Sequence, residues 1–113
     1  MGKPQQTRVE FSNNASVYLA ELAFTLLVNN VFSYIENAEK YVDFISDEIN
    51  KNIHFKKHHP TSSELTKFGK YYVIINTNKR TAWHVFFDKK DNRYFINKIT
   101  NNHLPSAKTL NTI

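Results

Sequence analysis

The sequence predicts an α+β domain: an N-terminal strand, then two helices packed on one face of a twisted antiparallel sheet whose last three strands form a C-terminal meander. Three observations carry this prediction. Apolar residues recur at helical spacing between residues 15 and 49, aromatic and β-branched runs replace that period after residue 70, and short polar connections separate those runs. Taken in order, Thr7-Arg8-Val9-Glu10-Phe11 alternates as a short first strand does, and Ser12-Asn13-Asn14 offer side-chain acceptors for capping a helix. From Ala15 the apolar residues Val17, Leu19, Ala20, Leu22, Ala23, Phe24, Leu26, Leu27 and Val31 nearly encircle that helix, which predicts heavy burial. A break falls near Asn29-Asn30 or Ser33. In the second helix Ala38, Val42, Ile45 and Ile49 share one face, Tyr41 and Phe44 flank it, and Glu36, Glu39, Asp43, Asp47 and Glu48 fill the solvated side.

After Ile53 the pattern changes. His54-Phe55-Lys56-Lys57-His58-His59-Pro60 reads as a basic connection, with Pro60 stopping any helix through it. Gly69 marks a turn before a strand over 70–76. Thr77-Asn78-Lys79 leads into a second strand over 80–87, and a loop over 88–92 leads into a third over 93–99. Short connections make these three an antiparallel meander.

At 113 residues and 13.3 kDa the chain has room for one domain, 1–113, with residues 1–6 and 106–113 expected as flexible tails. The absence of cysteine excludes a disulfide scaffold, a thiolate zinc site and a thiol nucleophile. With Gly2 and Gly69 the only glycines, no glycine-rich phosphate loop exists. Val17 to Val28 is interrupted by Glu21 and Thr25 and is too short to span a membrane. Residues 1–10 lack the apolar middle of a signal peptide, so the expected location is cytoplasmic, with no membrane partner.

The net charge of +5 conceals a split. Residues 1–50 set Lys3, Arg8 and Lys40 against seven carboxylates, a net of −4, whereas residues 51–113 set twelve Lys/Arg against Glu64, Asp88 and Asp91, a net of +9. A one-sided positive field attracts phosphates, although basic residues also serve simply to keep a small domain soluble. Asp88 and Asp91 belong to a loop and read as turn formers, so no acid/base carboxylate pair is expected. His54, His58 and His59 cluster, but Lys56 and Lys57 between them repel a cation and no thiolate is at hand; a solvated basic loop with no metal is expected.

What rises above this background is a set of cationic and imidazole groups: Lys70 beginning the first meander strand, Arg80 beginning the second, His84 within it, and His103 just past the third. If the last two strands pair, Arg80 and His103 flank one edge of the sheet. RNA cleavage needs a base for the 2′-hydroxyl, cations for the phosphorane and an acid for the 5′-oxygen, and imidazole, guanidinium and ammonium groups can supply all three. Against this, His84 reads equally well as a buried or ring-stacked histidine, and Trp83, Tyr71, Tyr72 and Tyr94 as core or cross-strand aromatics rather than base-stacking platforms.

The stretches His59-Pro60, Glu64-Leu65, Phe68-Gly69-Lys70-Tyr71-Tyr72, Asn78-Lys79-Arg80-Thr81-Ala82-Trp83, Phe86-Phe87-Asp88 and Ile99-Thr100-Asn101-Asn102-His103 together resemble a branch of the RelE/ParE toxin family of bacterial toxin–antitoxin modules. In element order the resemblance covers residues 8–105; in wording, only the second half. It implies a RelE-like fold and a small cytoplasmic toxin that cuts messenger RNA on the ribosome without metal or other cofactor, masked by a cognate antitoxin that wraps the sheet and helices. It carries the family's strand arginine onto Arg80 and the histidine after the last strand onto His103. Lys67 and Lys70 fall where other members place assisting lysines, Lys79 and His84 join them as RNA-binding candidates, and a carboxylate base, where the family uses one, falls on Glu64. Leu104-Pro105-Ser106 follow the histidine where many RelE-like nucleases carry a tyrosine or a second arginine. ParE-like members instead poison gyrase and cut nothing, so a gyrase poison, or an inactive relic that only binds RNA or antitoxin, stands as the alternative.

Overall fold

Five strands, Arg8–Phe11 (β1), His59–Pro60 (β2), Tyr71–Asn76 (β3), Ala82–Lys90 (β4) and Arg93–Asn101 (β5), form one sheet in the order β1-β5-β4-β3-β2 in a computed structural model of the chain, which describes residues 7–77 and 81–101. Two helices, Asn13–Val28 (α1) and Ile35–Asn52 (α2), lie between β1 and β2 in the chain, and short 3-10 turns occupy Ile53–Phe55 and Thr66–Phe68. The predicted α+β order of strand, two helices and C-terminal meander is what the structure contains.

Three features of the sheet differ from the sequence reading, the first being that the loop expected over 88–92 shrinks to a turn at Asp91-Asn92, with Asp88, Lys89 and Lys90 paired in β4. β1 joins β5 in parallel, Arg8 opposite Arg93 and Phe11 opposite Ile96, so the sheet is mixed rather than antiparallel throughout. This follows from the helical hairpin, which returns the chain to the far side of the sheet instead of turning it back beside β1. His59-Pro60, read as part of a connection, adds a two-residue edge strand against Tyr71-Tyr72. Proline is tolerated there because it occupies a sheet edge.

Local chemistry sets the helix ends. Ser12 Oγ accepts the Ala15 N–H at 3.1 Å, capping α1. At its other end Asn30 takes a left-handed φ of 60°, and the Val31 and Asn30 N–H groups return to the Leu26 and Leu27 carbonyls, a Schellman closure in which asparagine stands in for glycine.

α2 buries the four predicted residues Ala38, Val42, Ile45 and Ile49. α1 does not behave as expected. It buries Ala15, Leu22 and Leu26, while Val17, Phe24 and Val28 are exposed, Phe24 at 65%. Its apolar circumference therefore exceeds what this chain covers, because one side of a two-helix layer has no third layer to meet. No described helix is long and apolar enough to cross a membrane.

The core lies between the helices and the sheet face bearing Val73, Ile75, Trp83, Val85, Phe87, Tyr94, Ile96 and Ile99. Trp83, fully buried, donates its Nε1–H to Tyr41 Oη at 2.8 Å, and Tyr41 Oη shares a 2.7 Å hydrogen bond with Thr77 Oγ1. This chain ties α2 to the end of the β3–β4 pair. Removing its middle member leaves the indole N–H buried without an acceptor, so Tyr41→Phe is expected to cost about 1–3 kcal/mol. Urea unfolding followed by the fluorescence of the single tryptophan measures this, and an unchanged midpoint would refute it.

Candidate nucleic-acid interface

Strand alternation turns a second set of residues to the sheet face away from the helices: Tyr72 and Ile74 on β3, His84 and Phe86 on β4, Lys98 and Thr100 on β5, aligned across the sheet by the pairs Tyr72–Phe86–Lys98 and Ile74–His84–Thr100. Lys98 reaches this face only because the β4–β5 register shifts between Phe86 and Phe87. Phe86 opposes Lys98 while Phe87 opposes Ile96, leaving Asn97 as a bulge. Without that extra residue, period-2 alternation would put Lys98 on the same side as Ile96, in the core.

The segment after β2 folds across part of this face. Phe68 packs on Phe86 with centroids 5.9 Å apart, and Tyr72 lies 5.6 Å from Phe86. Phe86 is thereby buried outside the main core. Two ammonium groups stand over the Phe68 ring, Lys67 Nζ at 5.1 Å and Lys98 Nζ at 5.3 Å from its centroid. His59 stacks on Tyr72 at 5.0 Å, and His84 lies 5.7 Å from the same ring. Cations, imidazoles and aromatic faces thus interleave on one surface, the arrangement that binds single-stranded nucleic acid through phosphates and stacked bases.

The carboxylate at the border of this surface is Asp88. Its Oδ1 accepts the Lys70 backbone N–H at 3.0 Å and its Oδ2 accepts the Asn97 amide at 3.2 Å, so it rivets the bulge and the start of β3. Among the described residues Lys67, Lys70 and Lys98 form no ion pair; the ion pairs join Lys51 to Asp47, Lys56 to Glu48 and Arg93 to Glu10 elsewhere.

His84 is half-buried, and desolvation, reinforced by the charge of His59, lowers its pKa below the usual imidazole value. It is therefore neutral at pH 7 and meets a ligand by stacking or hydrogen bonding rather than as a cation. The unfolded chain takes up that proton near pH ~6.5 while the folded chain resists it. The stability His84 contributes is thus complete above that pH and is lost as the pH falls towards the folded value. Melting curves from pH 7.5 to 5 are expected to fall less steeply for His84→Asn than for the wild type; parallel curves would contradict the assignment.

The predicted site residues divide. Lys67 and His84 share the open face. Lys70 lies at the opposite end of the β3–β4 pair from Thr81, separated by six residues of strand, so the register does not bring it to the start of β4. Arg80, Lys79 and His103 lie outside the described residues. Thr81 and Asn101, the described residues nearest Arg80 and His103 in sequence, sit at one end of adjacent strands, with Trp83 opposite Asn101. Glu64 is exposed in the turn before Thr66–Phe68.

The three clustered histidines separate. His54 stacks on Phe55 at 3.9 Å, His58 packs edge-on to Phe87 and Tyr94 and donates Nε2–H to the Ile53 carbonyl at 3.0 Å, and His59 faces Tyr72. Among the described residues no group of three or more His, Asp or Glu is placed to hold a metal ion.

Sequence reasoning missed His59, Phe68 and Lys98 as members of this surface. An edge strand of two residues and a one-residue bulge give no periodic signal, although the Lys67-Phe68 pair itself is a cation beside a ring. Comparison with protein-family models, with curated proteins and with solved structures finds no match.

Proposed function

We propose that the chain is a RelE-like toxin, a metal-independent endoribonuclease that cleaves messenger RNA on the ribosome in the cytoplasm. The observation that carries this reading is the sheet face away from the helices, partly crossed by the segment after β2, where lysines without ion pairs and aromatic rings lie together without a free carboxylate among them. The element order and the motif resemblance support the same reading.

In the proposed reaction, an imidazole accepts the proton of a ribose 2′-hydroxyl. The 2′-oxygen attacks the adjacent phosphorus, and the bond to the 5′-oxygen breaks as that oxygen takes up a proton from water or from the imidazolium so formed. The products are a 2′,3′-cyclic phosphate and a 5′-hydroxyl, with atoms and charge balanced and no redox change. His103 serves as general acid or base, Arg80 stabilises the negative phosphorane, and Lys67 holds a flanking phosphate. Lys70, Lys79 and His84 extend RNA contact along the sheet.

The cognate antitoxin covers the uncovered apolar side of α1 in this proposal. Val17, Phe24 and Val28 stand exposed there. The adjoining α1–α2 groove, lined by Ala20 and Ala23, is rimmed by Glu36, Glu39 and Asp43 against the single cation Lys40, and none of the three carboxylates forms an ion pair among the described residues. That combination fits an amphipathic helix carrying basic residues beside its apolar stripe.

Incubating the protein with translating ribosomes and mapping message ends tests the function. Cuts within the ribosomal A site are expected. Intact message with double-strand DNA breaks in cells would assign a gyrase poison instead, and RNA binding without cuts an inactive relic.

A further inference from the structure

β1 pairs with β5 only as far as Ile96, and beyond that point the edge of β5 borders a pocket of about 170 Å³ lined by Asn14 and Tyr18 of α1, Phe68, and Asn97 and Lys98 of the bulge. The Tyr18 hydroxyl is buried and has no hydrogen-bond partner among the described residues. Burial raises its pKa above the usual phenol value, so it remains an O–H donor at any physiological pH. A buried donor left unpaired is costly and calls for an explanation. The pocket has room for several waters or for one tetrahedral oxyanion. No carboxylate lines it, and Asp88, hydrogen-bonded to Asn97, is engaged with two donors. The two ammonium groups over Phe68 add positive charge at its mouth.

We propose that this pocket is a phosphate site, in which the Tyr18 hydroxyl and the Lys98 ammonium donate to one phosphate group and Lys67 balances its remaining charge. The phosphate belongs either to an RNA backbone that wraps from the open face around the β5 edge, an assignment that rests on the RNA reading above, or to free phosphate. The anion chemistry is the same in both. Tyr18 has no part in the proposed cleavage step; it is a binding residue.

Two measurements on the full chain test this. In ¹⁵N–¹H spectra titrated with inorganic phosphate at constant ionic strength, saturable shifts are expected at Tyr18, Asn97, Lys98 and Ile99, and their loss in Tyr18→Phe. Binding of a single-stranded RNA oligonucleotide is expected to weaken about tenfold in Tyr18→Phe. In Lys98→Gln the salt dependence of log Kd is expected to lose about 0.7 of a unit of slope, one phosphate contact on a single strand. Because Tyr18→Phe removes an unpaired buried hydroxyl, it should melt no lower than the wild type without phosphate, which separates lost binding from lost folding. Phosphate shifts with undiminished RNA affinity would assign the site to free phosphate. RNA binding unaffected by either substitution, with no saturable phosphate shift, overturns the proposal while leaving the nuclease reading intact. Phosphate shifts in a protein that binds no RNA would do the reverse.

Discussion

A folded His103→Ala chain is expected to cleave RNA about 10²–10⁴-fold more slowly than the wild type, and Arg80→Ala about 10²–10³-fold more slowly. The two values differ because the roles differ. A positioned acid or base is replaced by water at a large cost, whereas losing one cation removes only part of the electrostatic stabilisation of the phosphorane. A melting curve that matches the wild type's qualifies each variant as folded, so that slower cleavage then reports lost chemistry. In cells expressing the protein without an antitoxin, both should relieve growth arrest. The pH profile adds a signature that a structural role would not give, since His103→Ala should lose a limb that Arg80→Ala keeps. Undiminished cleavage by a folded His103→Ala protein removes His103 from the proposed mechanism, whereas a wild-type protein that cuts no message brings in the gyrase and relic readings.

The architecture was legible because each long element carried its own period. Ala38, Val42, Ile45 and Ile49 announce one helix face, and Val73, Ile75, Val85 and Phe87 alternate as the inner side of a sheet. Periodicity ends where those elements end. It says nothing about which neighbour β1 will choose, because four alternating residues fit a parallel or an antiparallel partner equally well. It also over-reads α1, where apolar content is visible in the sequence but the number of layers available to cover it is not.

The candidate surface was legible only in part, for the same reason. His84 sits at a regular strand position and its face follows from alternation, whereas Lys98 owes its place to the extra residue at Asn97, a shift that Asp88 fixes from another strand. His59 joins through an edge strand too short to show a pattern. Tyr18 is the clearest case: only the three-dimensional arrangement shows its hydroxyl buried without a partner, on a residue that lines the same pocket as Lys98.

Gly69→Ala is expected to be strongly destabilising. Gly69 is buried with φ 138°, a conformation that side-chain-bearing residues rarely adopt, and holding alanine there costs about 1–3 kcal/mol in backbone strain. The added Cβ would also lie 2.5 Å from the Phe87 carbonyl oxygen and 2.8 Å from its amide nitrogen. Those atoms belong to the backbone of a central strand whose side chain is fully buried, so the clash cannot be relieved by a rotamer change. Overpacking of this kind adds about 1–3 kcal/mol. Together these are a large share of the ~5–15 kcal/mol that stabilises a domain of this size. The functional consequence reaches further, because Gly69 joins Lys67 and Phe68 to Lys70 and β3. If the chain pulls away from Phe87, Phe68 leaves Phe86 and the two ammonium groups lose the ring they share. Urea denaturation should show a midpoint far below that of the wild type, and under conditions where the variant still folds, RNA affinity should fall as well. A Gly69→Ala protein with unaltered midpoint and affinity would mean that the segment does not press against β4 in solution.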